Sequence, residues 1–215
     1  MKIIDLSGFM FSGKTAVGDL LREFDCIYVP NYLEEFDLLR LPGGLIDFKN
    51  AVLDWSPIRT FAALERFDKL INTLATNPRF HKKLFKYGFC YYKRFPDIIN
   101  IKNQFIKNIT VESWDTPTPF LDVQDSSAEI FIKKTLNKFK TKINKKYILV
   151  DKHNFIKFAQ NFVHEVLLNS TDFRIKKLEQ NFKIILINNG LEPFSPQNNL
   201  DLLGSDAKAI TVERD

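Results

Sequence analysis

The chain of 215 residues suits one large domain, or a core domain with an inserted lobe, and it is long enough to bury a core without a disulfide or metal staple. Its 45% apolar and 27% charged residues, with eight Gly and nine Pro, exclude a disordered or collagen-like chain, and no apolar run approaches the roughly eighteen residues of a membrane-spanning helix. The formal charge of +5 is concentrated in residues 76–146, which hold 15 basic and 6 acidic side chains and so attract anions without choosing among nucleic acid, acidic glycan and nucleotide.

A solvated lysine-rich surface is the plainer reading of that charge. No zinc-finger spacing, aromatic strand signature or heptad repeat accompanies it, so nucleic acid is not an expected partner. Met1–Asp5 lacks the features of a signal peptide, and Cys26 and Cys90 stand alone without metal-ligand spacing. Both observations point to a cytoplasmic protein with reduced thiols and no transmembrane segment.

Taken in chain order, short apolar runs bounded by turn residues predict strands over Lys2–Leu6, Cys26–Val29, Tyr147–Val150, Phe182–Ile187 and Ala207–Val212. Their length and β-branched content suit strands covered on both faces, as in a parallel sheet between helices. Helical spacing joins Ala16, Val17, Leu20, Leu21 and Phe24, then Phe61, Leu64, Phe67, Leu70, Ile71 and Leu74, then Ile130, Leu136 and Phe139, and lastly Phe155, Phe158, Ala159, Phe162, Val163, Val166 and Leu167. The expected architecture is a three-layer α/β fold with a mostly parallel sheet of about five strands. Residues 1–42 and 145–215 form its core, and 43–144 form a helical, basic insertion with no evident strand.

Gly8-Phe9-Met10-Phe11-Ser12-Gly13-Lys14-Thr15 fits the phosphate-binding pattern G-x-x-x-x-G-K-[ST] at every fixed position. It follows an apolar strand and opens an amphipathic helix, the context in which such a loop turns its N–H groups toward an anion and adds the helix dipole. Lys14 neutralises a bridging or terminal oxygen, and Thr15 binds an oxygen or holds a metal.

Asp151 ends the apolar run Lys146–Val150, where a carboxylate beside such a loop holds magnesium; a turn or helix cap is the plainer role. His153, two residues on, is a candidate base for an acceptor hydroxyl or a simple polar cap. Glu34-Glu35-Phe36-Asp37-Leu38-Leu39-Arg40 brings acids and a guanidinium toward the carboxyl edge of the sheet, and Asn188-Asn189-Gly190 borders the same cleft. Arg214, at the end of the last strand, is placed to grip a phosphate bidentately. A chain that stops on a sheet strand suggests a longer gene product.

Gly8–Glu23, Glu35–Asp47, Leu149–Asn154 and Ala207–Asp215 together resemble a bacterial sulfotransferase-like P-loop family, often associated with surface-polysaccharide genes. The resemblance implies a metal-free transferase that moves a sulfo group from phosphoadenosine phosphosulfate to a hydroxyl or amine of a glycan or small molecule. It assigns donor binding to the loop residues Gly8, Phe11, Ser12, Gly13, Lys14 and Thr15 and to Arg214, and the base to Glu35. Two features depart from that family. Phe11 stands where a Lys or Arg usually precedes the Ser-Gly pair, and the serine expected to complete the 3′-phosphate site falls beyond Asp215. Lysine after glycine is the arrangement of an ATP-binding loop. An ATP- and magnesium-dependent small-molecule kinase with Thr15 and Asp151 at the metal is therefore the alternative, and a non-catalytic nucleotide-binding protein is the third reading.

Overall fold

A computed structural model describes residues 1–8, 12–30, 35–76, 91–116, 127, 131, 135, 145–178 and 180–213. Within them the elements run β1 (Lys2–Gly8), α1 (Lys14–Arg22), β2 (Ile27–Tyr28), α2 (Leu45–Leu53), α3 (Pro57–Ala75), α4 (Tyr91–Arg94), α5 (Ile98–Ile109), β3 (Thr110–Thr116), β4 (Lys145–Val150), α6 (Phe155–Leu168), α7 (Thr171–Lys176), β5 (Ile184–Asn188), a 3-10 segment (Pro196–Leu202) and β6 (Lys208–Val212). No helix among the described residues is long and apolar enough to cross a membrane.

The expected α/β architecture is present, with a parallel sheet of four strands in the order β2-β5-β1-β6. Counted along the chain, the four strands stand second, third, first, fourth. The connections out of β1 and β5 leave in opposite directions, which opens a crevice at their carboxyl ends.

Strand alternation separates the two faces of the sheet. Ile4 and Leu6 of β1 turn to one side, with Leu186 and Val29, against Val17 and Leu21 of α1. Ile3 turns to the other side, with Tyr28, Ile185 and Ile187, into a core shared with α2, α3, α5, α6 and α7. This second face accounts for much of the phenylalanine. The rings of Phe48, Phe67, Phe105, Phe155 and Phe162 interlock at centroid distances of 4.9 to 6.3 Å, most of them edge to face. That geometry adds about 0.5–1.5 kcal/mol per pair beyond the burial itself.

Two expectations are corrected here. The apolar run ending at Val150 is not a strand of the parallel sheet: β4 pairs antiparallel with β3, with a bulge between Thr110 and Glu112. The stretch 43–144 is accordingly not wholly helical, since it contains β3. The ribbon rests on α3 through Tyr147, whose ring stacks on Phe61 at 5.0 Å and is overlain by Trp114 at 4.8 Å. Along it Tyr147 and Val150 are buried, Ile148 and Leu149 are half-buried and Lys146 is exposed. The helical spacing at Ile130, Leu136 and Phe139 falls outside the described residues.

Candidate functional site

The loop after β1 is held at both ends by glycine for two different reasons. A Cβ on Gly8 would stand 2.7 Å from Ser12 Oγ and 2.8 Å from the Val212 carbonyl, so the chain folds back onto the end of its own strand where no side chain fits. Gly13 has open space around it but lies at φ 87°, in the left-handed region that glycine enters without steric cost. From Gly13 the chain enters α1 with no side-chain cap and no acid in the first turn. The Ala16 N–H turns back to the Gly13 carbonyl at 3.0 Å, which leaves the Lys14 and Thr15 amides at the positive end of the helix. Ser12 Oγ is buried and has no hydrogen-bond partner among the described residues.

Facing this loop is a polar cluster built on the end of β5. Glu35 forms an isolated parallel bridge with Asn188, and the Phe36 N–H donates to the Asn188 carbonyl at 2.8 Å. The Glu35 carboxylate accepts from Asn189 Nδ2 at 2.6 Å through one oxygen and pairs with Arg40 through the other. Arg40 also donates to Asp37 Oδ1, from Nη2 at 3.0 Å and Nε at 3.2 Å. Arg94 Nη1 reaches the Glu35 carbonyl at 3.5 Å. Asn189 itself lies at φ 48°, a conformation that asparagine tolerates better than most residues, and its Oδ1 accepts the Gly8 N–H at 3.1 Å.

Beneath the cluster lies Asp5, a fully buried carboxyl in the middle of β1. It accepts from Ser7 Oγ and from the Gly190 N–H, the latter at 2.7 Å. Burial raises its pKa, against the lowering effect of those hydrogen bonds and of the Lys14 charge. Lys14 is shifted downward, first by burial and then by Arg40, while Glu35 and Asp5 oppose the shift. Asp37 is raised by burial, opposed by Arg40. Lys14 makes no ion pair with any described residue; Glu35, the carboxylate that does most to raise its pKa, is engaged by Arg40 and Asn189.

Of the residues singled out in the sequence, Gly8, Ser12, Gly13, Lys14, Thr15 and Glu35 therefore gather at the carboxyl edge of the parallel sheet, around the end of β5. Phe11 and Arg214 lie outside the described residues. Asp151 and His153 are elsewhere: they follow β4, which belongs to the other ribbon, and neither hydrogen-bonds nor ion-pairs with Lys14 or Glu35. Asp151 acts as a cap, its Oδ1 accepting the N–H groups of His153 at 2.9 Å and Asn154 at 3.1 Å and its Oδ2 accepting Asn154 Nδ2 at 2.7 Å. Those bonds hold its pKa below the usual carboxylate value. His153 is exposed in the same turn. The strand beside β1 is β5, which leads into the amides Asn188 and Asn189, and not the run ending at Asp151 that the kinase reading sets beside Thr15. No group of three or more His, Cys, Asp or Glu among the described residues is placed to hold a metal.

Sequence reasoning passed over Asp5 and Ser7, although two polar residues within the apolar run of β1 were a signal open to reading. A groove of about 800 Å³ at the opposite edge of the sheet, lined by Ile3, His164, Lys183, Leu203 and Asp206 among others, contains none of the site residues. Comparison with known proteins adds no relative: no family model matches the chain, and no curated protein or solved structure matches it.

Proposed function

We propose that the protein is a P-loop-type transferase that binds an anionic nucleotide at Gly8–Thr15 and passes a sulfo group from phosphoadenosine phosphosulfate to a hydroxyl or amine of a glycan or small molecule. The observation that carries the reading is the pairing of an uncapped, glycine-turned helix start, bearing a Lys14 that pairs with no described residue, with a carboxylate, Glu35, held by Asn189 and Arg40. The loop amides and Lys14 supply fixed positive charge where a bridging oxygen becomes anionic, and such preorganised donors are commonly the largest single contribution to catalysis. The acceptor oxygen attacks sulfur as the bond from sulfur to the bridging oxygen breaks. The nucleotide leaves with that electron pair, and the acceptor proton passes to Glu35. Holding the two reactants in line removes most of the entropic barrier to their meeting.

A kinase using ATP and magnesium is the second reading, favoured by the order Gly13-Lys14-Thr15. It loses ground because the residues beside the loop at the end of β5 are amides, and a metal would have to find its carboxylate elsewhere. Thermal-shift titration separates the two, since a ligand that binds only the folded chain raises its melting temperature with affinity. Stabilisation by adenosine 3′,5′-bisphosphate without magnesium supports sulfo transfer, and stabilisation by ATP only with magnesium supports the kinase. Lys14→Ala is expected to abolish the response to the correct nucleotide. An undiminished response would remove the loop from the site, and silence from both nucleotides would end both enzyme readings.

A further inference from the structure

The Asn189 side chain hydrogen-bonds to both halves of the candidate site. Its Oδ1 accepts the N–H of Gly8, the residue that opens the anion loop, at 3.1 Å, and its Nδ2 donates to Glu35 at 2.6 Å. The residue is itself pinned. Its own N–H donates to the Leu6 carbonyl at 3.0 Å, its backbone is left-handed at φ 48°, and the next amide, Gly190, is anchored to buried Asp5 at 2.7 Å. Gly190 has no room for a side chain, because a Cβ there would meet Ile187 Cδ1 at 2.6 Å and Asp5 Oδ1 at 3.1 Å. The amide of Asn189 therefore projects from a rigid turn, and its two polar atoms face two different partners.

We propose that Asn189 is a positioning residue that sets the distance between the donor loop and the acceptor-side carboxylate. This rests on the transferase reading above and deepens it. An amide suits the task because it offers one acceptor and one donor on adjacent atoms. A carboxylate in its place accepts at both atoms, and a glycine keeps the backbone but holds neither partner. The bond to Gly8 holds the end of β1, from which the loop starts. The bond to Glu35 directs that carboxylate, with its second oxygen toward Arg40.

The test is a charge swap. Asn189→Asp keeps a residue that tolerates the left-handed backbone and keeps the oxygen toward Gly8, but it sets a second carboxylate against Glu35. Adding Glu35→Gln restores a donor–acceptor pair with the polarity reversed, because the new amide at 35 donates to the new carboxylate at 189. Melting temperatures of the wild type, the two single variants and the double variant measure this link without any ligand. Asn189→Asp is expected to lower the melting temperature by about 3 °C, and the double variant to recover at least half of that loss.

The second readout is the affinity for adenosine 3′,5′-bisphosphate, titrated in the same four proteins without magnesium. It is expected to fall about fivefold or more in Asn189→Asp and to return toward the wild-type value in the double variant. Purely additive melting losses overturn the link between the two side chains. Recovery of stability without recovery of affinity overturns the positioning role, since a merely structural contact restores only the former. A wild type that binds no bisphosphate defeats the transferase reading and the positioning role with it, whereas a responsive wild type with no rescue defeats the positioning role alone.

Discussion

β4 and β5 are nearly interchangeable on paper and opposite in use. Lys146-Tyr147-Ile148-Leu149-Val150-Asp151 and Lys183-Ile184-Ile185-Leu186-Ile187-Asn188 are both a lysine, four apolar residues and a polar end. In the fold β5 is hydrogen-bonded on both sides, between β2 and β1, and its last residues meet the anion loop. β4 has one described neighbour, an antiparallel one, and its last residue caps a turn. The difference teaches that a strand's composition reports how much of it is buried, while its partners decide whether its end is a site. Partner choice depends on chain crossings that local periodicity does not record.

The comparison is broken most forcefully in the strand cores. Ile187→Ala removes a wholly buried side chain packed on the helical face and is expected to cost about 2–5 kcal/mol, measured as a shift in denaturant unfolding. Leu149→Ala, at a half-buried position of the ribbon, is expected to cost clearly less. Equal losses would mean that the two strands are equivalent elements after all.

The strand ends give the next contrast. Asp151→Ala deletes a cap and is expected to reduce stability by about 1 kcal/mol while leaving the nucleotide response unchanged. Loss of a magnesium-dependent ATP response in that variant would restore Asp151 to the chemistry and reverse the assignment made from strand order.

The smallest effect concerns Asp5, whose pKa is raised in the folded chain. The folded state therefore holds its proton more tightly than the unfolded one. Its stabilising contribution is complete below the ordinary value of 3.8 and is lost as pH climbs from there through the folded value. Asp5→Asn has no proton to lose, so its stability relative to the wild type is expected to improve between pH 4 and pH 8, as judged by urea midpoints. Midpoints that run in parallel across that range would show Asp5 to be ionised in the fold much as it is in the unfolded chain.

How much was legible follows from the same physics. β1, β5 and β6 were readable within two residues, because each carries a short, largely apolar and β-branched run bounded by turn residues. The loop was readable because a glycine required by φ and a glycine required by close approach leave a fixed spacing. Glu35 was placed at the sheet edge, where it is found. β3 escaped notice because Glu112 and Asp115, both exposed, interrupt its apolar character. β4 was assigned to the parallel sheet since an apolar run with a terminal acid looks alike in either kind of sheet. Asp5 and Asn189 were not recognised as structural partners of the site, because their roles come from hydrogen bonds that span more than 180 residues of sequence.

The strict alternation along β1 makes this short segment a reading frame for the molecule. Removing or inserting one residue within Lys2–Gly8 would swap its two faces, bringing Asp5 and Ser7 against the greasy underside of α1 and driving Leu6 into the hydrogen-bonded niche beneath Lys14. A shift of one place is therefore expected to unfold the chain, since it would set polar side chains into one apolar layer and an apolar one among buried hydrogen bonds at once.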